Sequence, residues 1–417
     1  MKRFFIFWAL TLLLGFALRA QDTLTVMQYN LLQYGNYQGY GGCSESTNNT
    51  QHKDECIRTL LNYVRPDILT VCEFGATRQL QDDFLKHNLN INGVTYWKSD
   101  NIVNYSGSNL INHIFYNSQK MELKKHVALR TSPRDTDVYE MYLKTPNLIA
   151  GDTVKLVCVV AHPKAGTNYE AERLALMQVA MGYIDQHYSN DNVLIMGDFN
   201  MYRASESGYQ LLTKTYSNFN TLFVDPLINE GGVGSWNNNS QFARFHTQST
   251  RNSSDGCFSS GGLDDRFDFI LMSDEIYMGF NNVKYVNQSY HAVGNDGQHF
   301  NQSINQNGNG AVPQQIAQAL YDVSDHLPVT MKMKLFVPLG VGENAVVEGF
   351  SVFPNPANDR LNVDVVNPAT YRITNVMGQV VMTGRIGGDP HQINISSFSN
   401  GLYFININGV TRKFVKQ

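Results

Sequence analysis

Short apolar runs and stretches of apolar–polar alternation dominate the first 335 residues. Residues 23–29 alternate and predict a first strand. Further strands are predicted at 67–72, 110–116, 121–128, 138–143, 153–160, 193–196, 267–272 and 329–335. Helical spacing appears at 54–64 and 205–215, and in a segment opened by Thr167, where Leu174, Met177, Met181 and Ile184 share one face. Thr167 and Glu170 have the spacing of a capping box. Strands and helices mixed in this way predict an α/β core over about 22–336. Polar segments at 31–51, 227–264 and 287–312 interrupt it, and loops of such length are usually functional or disordered.

The texture changes after a linker expected at 337–350. Residues 351–417 hold strand-like runs separated by Pro354-Asn355-Pro356, Met377-Gly378, Gly387-Gly388 and Asn400-Gly401, with no helical stripe. They predict a small β-sandwich without a catalytic cluster. At the other end, residues 1–20 predict a signal peptide: Lys2 and Arg3, then an apolar stretch from Phe4 to Leu18, then Ala20. The apolar stretch is shorter than a bilayer span needs, so no stable transmembrane anchor is expected.

Composition adds little to this except through charge and cysteine. The chain has 417 residues, 42% hydrophobic and 12% aromatic, which suits a folded two-domain protein. Its formal charge is −4, and loss of Lys2, Arg3 and Arg19 with the signal segment makes it −7. That argues against a strongly basic nucleic-acid footprint. Export permits disulfides. Of five cysteines, Cys72 and Cys158 lie in apolar runs and read as buried thiols. Cys43 and Cys56 are the most local pair, which leaves Cys257 over, although spacing does not determine connectivity. No zinc spacing is present in the sequence.

The chemistry gathers at strand ends, where α/β folds build their sites. Asn30, Glu73 and His162 each follow a predicted strand. Asp198 and Asn200 lie in Gly197-Asp198-Phe199-Asn200 after the run 193–196. Asp268 sits within Arg266-Phe267-Asp268-Phe269, and Asp325 and His326 lie in Ser324-Asp325-His326 before the last strand. Any one of these alone is a common turn, cap or core residue. A carboxylate inside an apolar strand needs a partner, and a histidine suits Asp268. Oxygen and amide groups beside histidine suit Mg²⁺, or Mn²⁺, and phosphate chemistry better than zinc.

Taken in order, Asn30, Glu73, His162-Pro-Lys-Ala-Gly166, Gly197-Asp-Phe-Asn200, Arg266-Phe-Asp268 and Ser324-Asp-His326 resemble the endonuclease/exonuclease/phosphatase superfamily. The resemblance covers 22–336 and implies a deoxyribonuclease I-like, four-layered α/β sandwich. It also implies residue roles. Asn30 and Glu73 would hold the catalytic Mg²⁺, with Asp325 a further acidic residue near it. Asp198 would align or deprotonate the attacking water, and Asn200 would bond the scissile phosphate. His162 would assist at the phosphate or leaving oxygen, and Asp268 with His326 would form a dyad touching the phosphate. Which histidine is the general acid stays open. Cys72 stands where relatives often carry Gln, with little effect expected because neighbours on a strand point opposite ways. Lys164, Arg203 and Arg251 are candidate phosphate contacts.

The final segment resembles the C-terminal sorting domain of type IX secretion in Bacteroidetes, through Phe353-Pro-Asn-Pro-Ala357, Val376-Met-Gly-Gln379, Asn400-Gly-Leu-Tyr-Phe404 and Lys413-Phe-Val-Lys416. It implies export by that machinery, to the medium or the outer cell surface. The expected function is a secreted, Mg²⁺-dependent phosphodiesterase, first a nuclease acting on DNA or RNA. The alternatives are a sphingomyelinase-like lipid phosphodiesterase using Trp236, Tyr34, Tyr37 and Tyr40 at a membrane, a phosphatase for inositol or other small phosphates, and last an inactive surface-binding protein.

Overall fold

The computed structural model describes residues 23–37, 42–144, 153–214, 219–254, 256–335, 350–365, 369–376, 378–386, 391–407 and 410–417. The expected signal segment lies outside these residues, as does the expected linker except for Phe350. Strands run in chain order as β1 (Thr23–Tyr34), β2 (Ile68–Gly75), β3 (Trp97–Ser99), β4 (Leu110–Asn117), β5 (Met121–Leu129), β6 (Thr136–Leu143) and β7 (Val154–Val160). They continue as β8 (Val193–Asp198), β9 (Phe223–Val224), β10 (Asp268–Ser273), β11 (Val283–Tyr285), β12 (His291–Ala292) and β13 (Val329–Leu335). The helices are α1 (Thr50–Val64), α2 (Arg78–Phe84), α3 (Glu170–Tyr188), α4 (Ser207–Thr213), α5 (Asp274–Met278) and α6 (Gln314–Val323).

Two sheets stack face to face. One has the order β11-β13-β1-β2-β4-β3, with β12 also on β13; the other is β5-β6-β7-β8-β10-β9. Strand periodicity divides the core. In β8, Leu194 and Met196 face the other sheet, while Val193 and Ile195 face the helical side. In β10, Ile270 and Met272 face inward and Phe269 and Leu271 outward. This two-faced burial explains why these strands read as unbroken apolar runs. Helices α1 and α6 cover the first sheet with Ile57, Leu60, Ile316 and Leu320. Helices α3 and α4 cover the second with Met177, Met181, Ile184, Tyr209 and Leu212. The result is a four-layered α/β sandwich.

The capping box expected at Thr167 does not form. Residues Thr167–Tyr169 make a 3₁₀ turn, and Glu170 instead accepts bonds from Arg203 Nη2 at 2.9 Å and the Ser207 backbone N–H at 3.0 Å. An ion pair to a neighbouring loop outcompetes the reciprocal cap. The disulfide expectation is also corrected: Cys43 pairs with Cys257, and Cys56 is a free thiol in α1. The fold brings together two loops that are far apart in sequence, and no spacing argument ranks such pairs. Trp236 and Tyr34 are buried rather than displayed, the first under Tyr209 and Phe269 and the second between Phe74 and Phe84. Tyr37 is half-buried, and Tyr40 lies outside the described residues.

Beyond the α/β core, a three-stranded and a four-stranded antiparallel sheet share one apolar core, including Leu361, Ile373, Ile393, Ile405 and Phe414. This is the small β-sandwich. Arg372 reaches from it to Glu275 of α5 at 2.6 Å.

Candidate active site

Six strands deliver side chains to one end of the sandwich. β1, β2, β7 and β8 do so at their C-terminal ends; β10 and β13, which are antiparallel to β8 and β1, do so at their N-terminal ends. The backbone there is irregular. Asn30 pairs with Cys72 but Tyr34 with Phe74, so β1 bulges against β2. Val71 pairs with His113 but Phe74 with Ile111, so β2 bulges against β4. Bulges re-aim side chains. Leu32, Gln33 and Glu73 take left-handed backbone, with φ of 46°, 49° and 56°, at a cost of about 1 kcal/mol or more each. Cys72 turns into the space between the sheets, where its Sγ accepts from Gln28 Nε2 at 3.3 Å. Glu73 turns into the site.

Asn30 Nδ2 donates to Asp198 Oδ2 at 3.0 Å and to Glu73 Oε1 at 3.3 Å. The Gln33 backbone N–H donates to Glu73 Oε2 at 3.1 Å. His162 Nε2 lies 3.2 Å from Asp198 Oδ2 and 4.0 Å from Glu73 Oε1. His326 closes the group, with Nε2 3.6 Å from Asp198 Oδ2 and Nδ1 2.7 Å from Asp268 Oδ2. Asn200 adopts φ 51°; its backbone N–H donates to Asp198 Oδ1 and its amide to the Pro163 carbonyl, which joins the two loops. Gly197 is required between them, because a Cβ there would lie 1.8 Å from the Ala161 carbonyl oxygen.

Charge in this group is strongly biased. Burial pushes Asp198 toward its neutral form, but the positive charge of His326, and then the adjacent His162 and the Asn30 hydrogen bond, outweigh it and hold the carboxyl well below its usual range. Burial also opposes charge on His326, yet Asp268 and then Asp198 overcome it and raise its pKa well above the ordinary imidazole value. Burial raises Asp268 to about 6, with His326 pulling the other way. At neutral pH the dyad is therefore an imidazolium on a carboxylate. On its other side, His326 Nε2 lies 2.7 Å from the Gln248 side-chain amide. His162 is different: burial and then Arg134 lower its pKa.

Asp325 stands behind His326. Its Oδ2 accepts the Ser259 N–H at 3.0 Å and Gln248 Nε2 at 3.4 Å, while its buried Oδ1 has no hydrogen-bond partner among the described residues. Among the described residues it is not part of the tight donor group, which comprises Glu73, His162 and Asp198 within 4.8 Å. That group fits a hard divalent cation. Two buried carboxylates converge there, and what faces them is an amide N–H and imidazole whose protonation is disfavoured for His162. Ligation by the Asn30 oxygen requires its amide to turn, since Oδ1 now accepts the Leu32 N–H at 2.9 Å.

The three candidate cations differ. Lys164 is exposed, 5.0 Å over the Tyr169 ring, and with Arg134, Tyr169 and His162 lines a cleft of about 590 Å³. Arg203 pairs with Glu170. Arg251 is packed between the Phe258 and Tyr321 rings, 3.4 and 4.2 Å from their centroids, and donates to the Tyr321 carbonyl.

Lys53 and Gln248 were not singled out from the sequence. Lys53 Nζ donates to the Leu31 and Leu32 carbonyls at 2.7 Å each, bracing the β1 bulge. Burial lowers its pKa to about 7, against the pull of Asp325 and Glu73. A signal was present: Lys53 lies on the stripe of Cys56, Ile57 and Leu60, the buried face of α1. Gln248 left none, because it comes from a polar loop.

Residues 27–326 match the sequence profile of the Endonuclease/Exonuclease/phosphatase family, and residues 351–417 that of the Secretion system C-terminal sorting domain. No curated protein sequence matches the chain significantly. Similar solved structures include D. rerio TDP2 complexed with a single-strand DNA product, at 12% identity and TM-score 0.47, covering 75% of this chain and 99% of that one. The human Nocturnin catalytic domain with bound sulfate matches at 14% identity and TM-score 0.44, covering 76% and 98%. An endonuclease/exonuclease/phosphatase family protein from Bacteroides thetaiotaomicron matches at 13% and 0.43, covering 76% and 99%.

Proposed function

Because the chain belongs to the endonuclease/exonuclease/phosphatase family, whose members hydrolyse phosphoric esters, and carries a sorting domain for secretion or cell-surface attachment, we propose that it is an extracellular Mg²⁺-dependent phosphodiesterase acting on DNA or RNA. One observation carries the reading. Asn30, Glu73, His162, Asp198 and the Asp268–His326 dyad, up to 296 residues apart, form one buried polar group at a strand-end edge.

Asp198 stays ionised and accepts from Asn30, which suits it to orient water and receive its proton. His326, held cationic by Asp268, is the donor for a phosphoryl oxygen as charge develops. His162, biased toward neutrality, lies between Asp198 and the cleft and can relay a proton at the leaving oxygen. Asn200 holds the two loops in register. Glu73 and Asp198, with Asn30, would hold the divalent cation, which would neutralise phosphate oxygens when bound.

The surroundings favour a nucleic acid over the other substrates. The cleft beside His162 offers Lys164, Arg134 and the aromatic Tyr169 to a substrate that continues past the scissile phosphate. Of the aromatic side chains expected to serve a lipid-active enzyme, Trp236 and Tyr34 are buried. A phosphatase for inositol phosphates would cluster free cations, and Arg203 and Arg251 are engaged by Glu170 and by the Tyr321 carbonyl. Purified protein should cleave plasmid DNA or RNA with Mg²⁺ and stop with EDTA. Intact nucleic acids together with hydrolysed sphingomyelin or inositol phosphate would overturn the nuclease assignment. Activity undiminished by chelation would overturn the metal.

A further inference from the structure

On the far side of the first sheet, α1 and α6 bring three further donors together. His52 and Cys56 are one helical turn apart on α1, and Asp322 lies on α6. His52 Nε2 is 3.6 Å from Asp322 Oδ2 and 3.9 Å from Cys56 Sγ, and all three donor atoms lie within 4.8 Å of one another. We propose that His52, Cys56 and Asp322 form a zinc site, separate from the hydrolytic centre, with water completing the coordination.

The distances suit the ion. Tetrahedral Zn²⁺ bound at about 2.0 Å to nitrogen or oxygen and about 2.3 Å to sulfur separates its ligands by roughly 3.3–3.6 Å. The two His52 distances lie within a few tenths of an ångström of these separations, and His52 and Asp322, both reached by solvent, can adjust to bring the third pair closer. The thiolate and imidazole select Zn²⁺ over the hard cation that suits Glu73 and Asp198. Asp322 is already oriented, since Gln318 Nε2 donates to both its oxygens at 3.0 and 3.1 Å. His52 is half-exposed, and Asp322 is 22% exposed, so an ion can reach them. Binding forms a Zn–S bond and releases the Cys56 proton to solvent. The ion would clamp α1 to α6 close to the active site. Lys53, which braces the β1 bulge, is next to His52, and Asp325 follows Asp322 by three residues.

The free thiols make the test direct. Cys72 and Cys158 are fully buried and Cys43 and Cys257 are bonded to each other, so Cys56, itself buried but 9% exposed, is the most accessible free thiol. Chelator-treated full-length protein should show one slowly titrating thiol. One equivalent of Zn²⁺ should protect it, and Co²⁺ should produce a near-ultraviolet thiolate-to-cobalt band that the Glu73–Asp198 centre, lacking a thiolate, does not give. His52→Ala and Asp322→Asn should each weaken protection by about tenfold or more. A thiol whose reactivity is unchanged by Zn²⁺, or protection untouched by both substitutions, overturns the site. If the thiol proves inert without metal, the cobalt band decides, and its absence overturns the proposal. Phosphodiesterase activity enters none of these readouts, so they stand apart from the proposed function.

Discussion

His126 and His326 are both buried between two aspartates. His126 places Nδ1 on Asp100 and Nε2 on Asp137, each at 2.9 Å, and stacks on Tyr139 in an outer pair of strands. Burial opposes its charge, but the two carboxylates raise its pKa to about 9. His326 bonds Asp268 through Nδ1 at 2.7 Å, while its Nε2 meets the Gln248 side-chain amide at 2.7 Å and lies 3.6 Å from Asp198. The first histidine spends both nitrogens on carboxylate bonds across the β5–β6 pair. The second keeps Nε2 toward a carboxylate cluster built on bulged backbone. Burial and a carboxylate partner alone do not mark a catalytic histidine; a second nitrogen that meets a neutral amide and faces the other site groups, rather than a second carboxylate bond, does.

Four changes probe that contrast. Gly197→Ala should have the largest effect, because its Cβ would meet the Ala161 carbonyl and force the β7–β8 ladder apart. We expect a loss of about 3 kcal/mol or more in urea unfolding, together with loss of activity. Retained stability and turnover would show that the backbone shape is not needed. Asp198→Ala and His326→Ala should each lower turnover by at least ~10² while the thermal transition remains cooperative; near-normal rates in both would mean that the roles are misassigned. His126→Leu should do the reverse. It leaves Asp137 buried without its partner, so stability should fall by about 3 kcal/mol while kcat of the folded fraction holds. A kcat loss matching that of the His326 variant would erase the distinction.

The smallest effect is in pH. His126 has a folded pKa above the unfolded value of about 6.5. Its stabilisation is therefore complete below that value and disappears as pH rises through about 9. The stability gap between the wild type and His126→Leu should narrow over that window. A gap that stays constant from pH 6 to 10 would refute the charged state. Activity should likewise persist through neutrality and fall on the alkaline side, as His326 loses its proton.

Much of the strand pattern was legible because burial in a sheet imposes a period of two on apolar residues where one face is covered and an unbroken apolar run where both are. The strand ends were legible too, since polar residues such as Asn30, Asp198 and His326 stand where such runs begin or stop. Helix ends were less so: α1 begins at Thr50 rather than Asp54, capped by Asn49, because a polar first turn carries no apolar signal. The pairing of Cys43 with Cys257, the turning of Glu73 by a bulge and the bracing of that bulge by Lys53 were not legible at all.

By itself, then, the order of residues determined which side chains arrive at an edge, because apolar periodicity is a local property of each strand. Only the tertiary structure decided which of them meet. Contacts such as Asn30 with Asp198 or Asp268 with His326 depend on how sheets stack and where strands bulge. Those depend on neighbours contributed by distant parts of the chain.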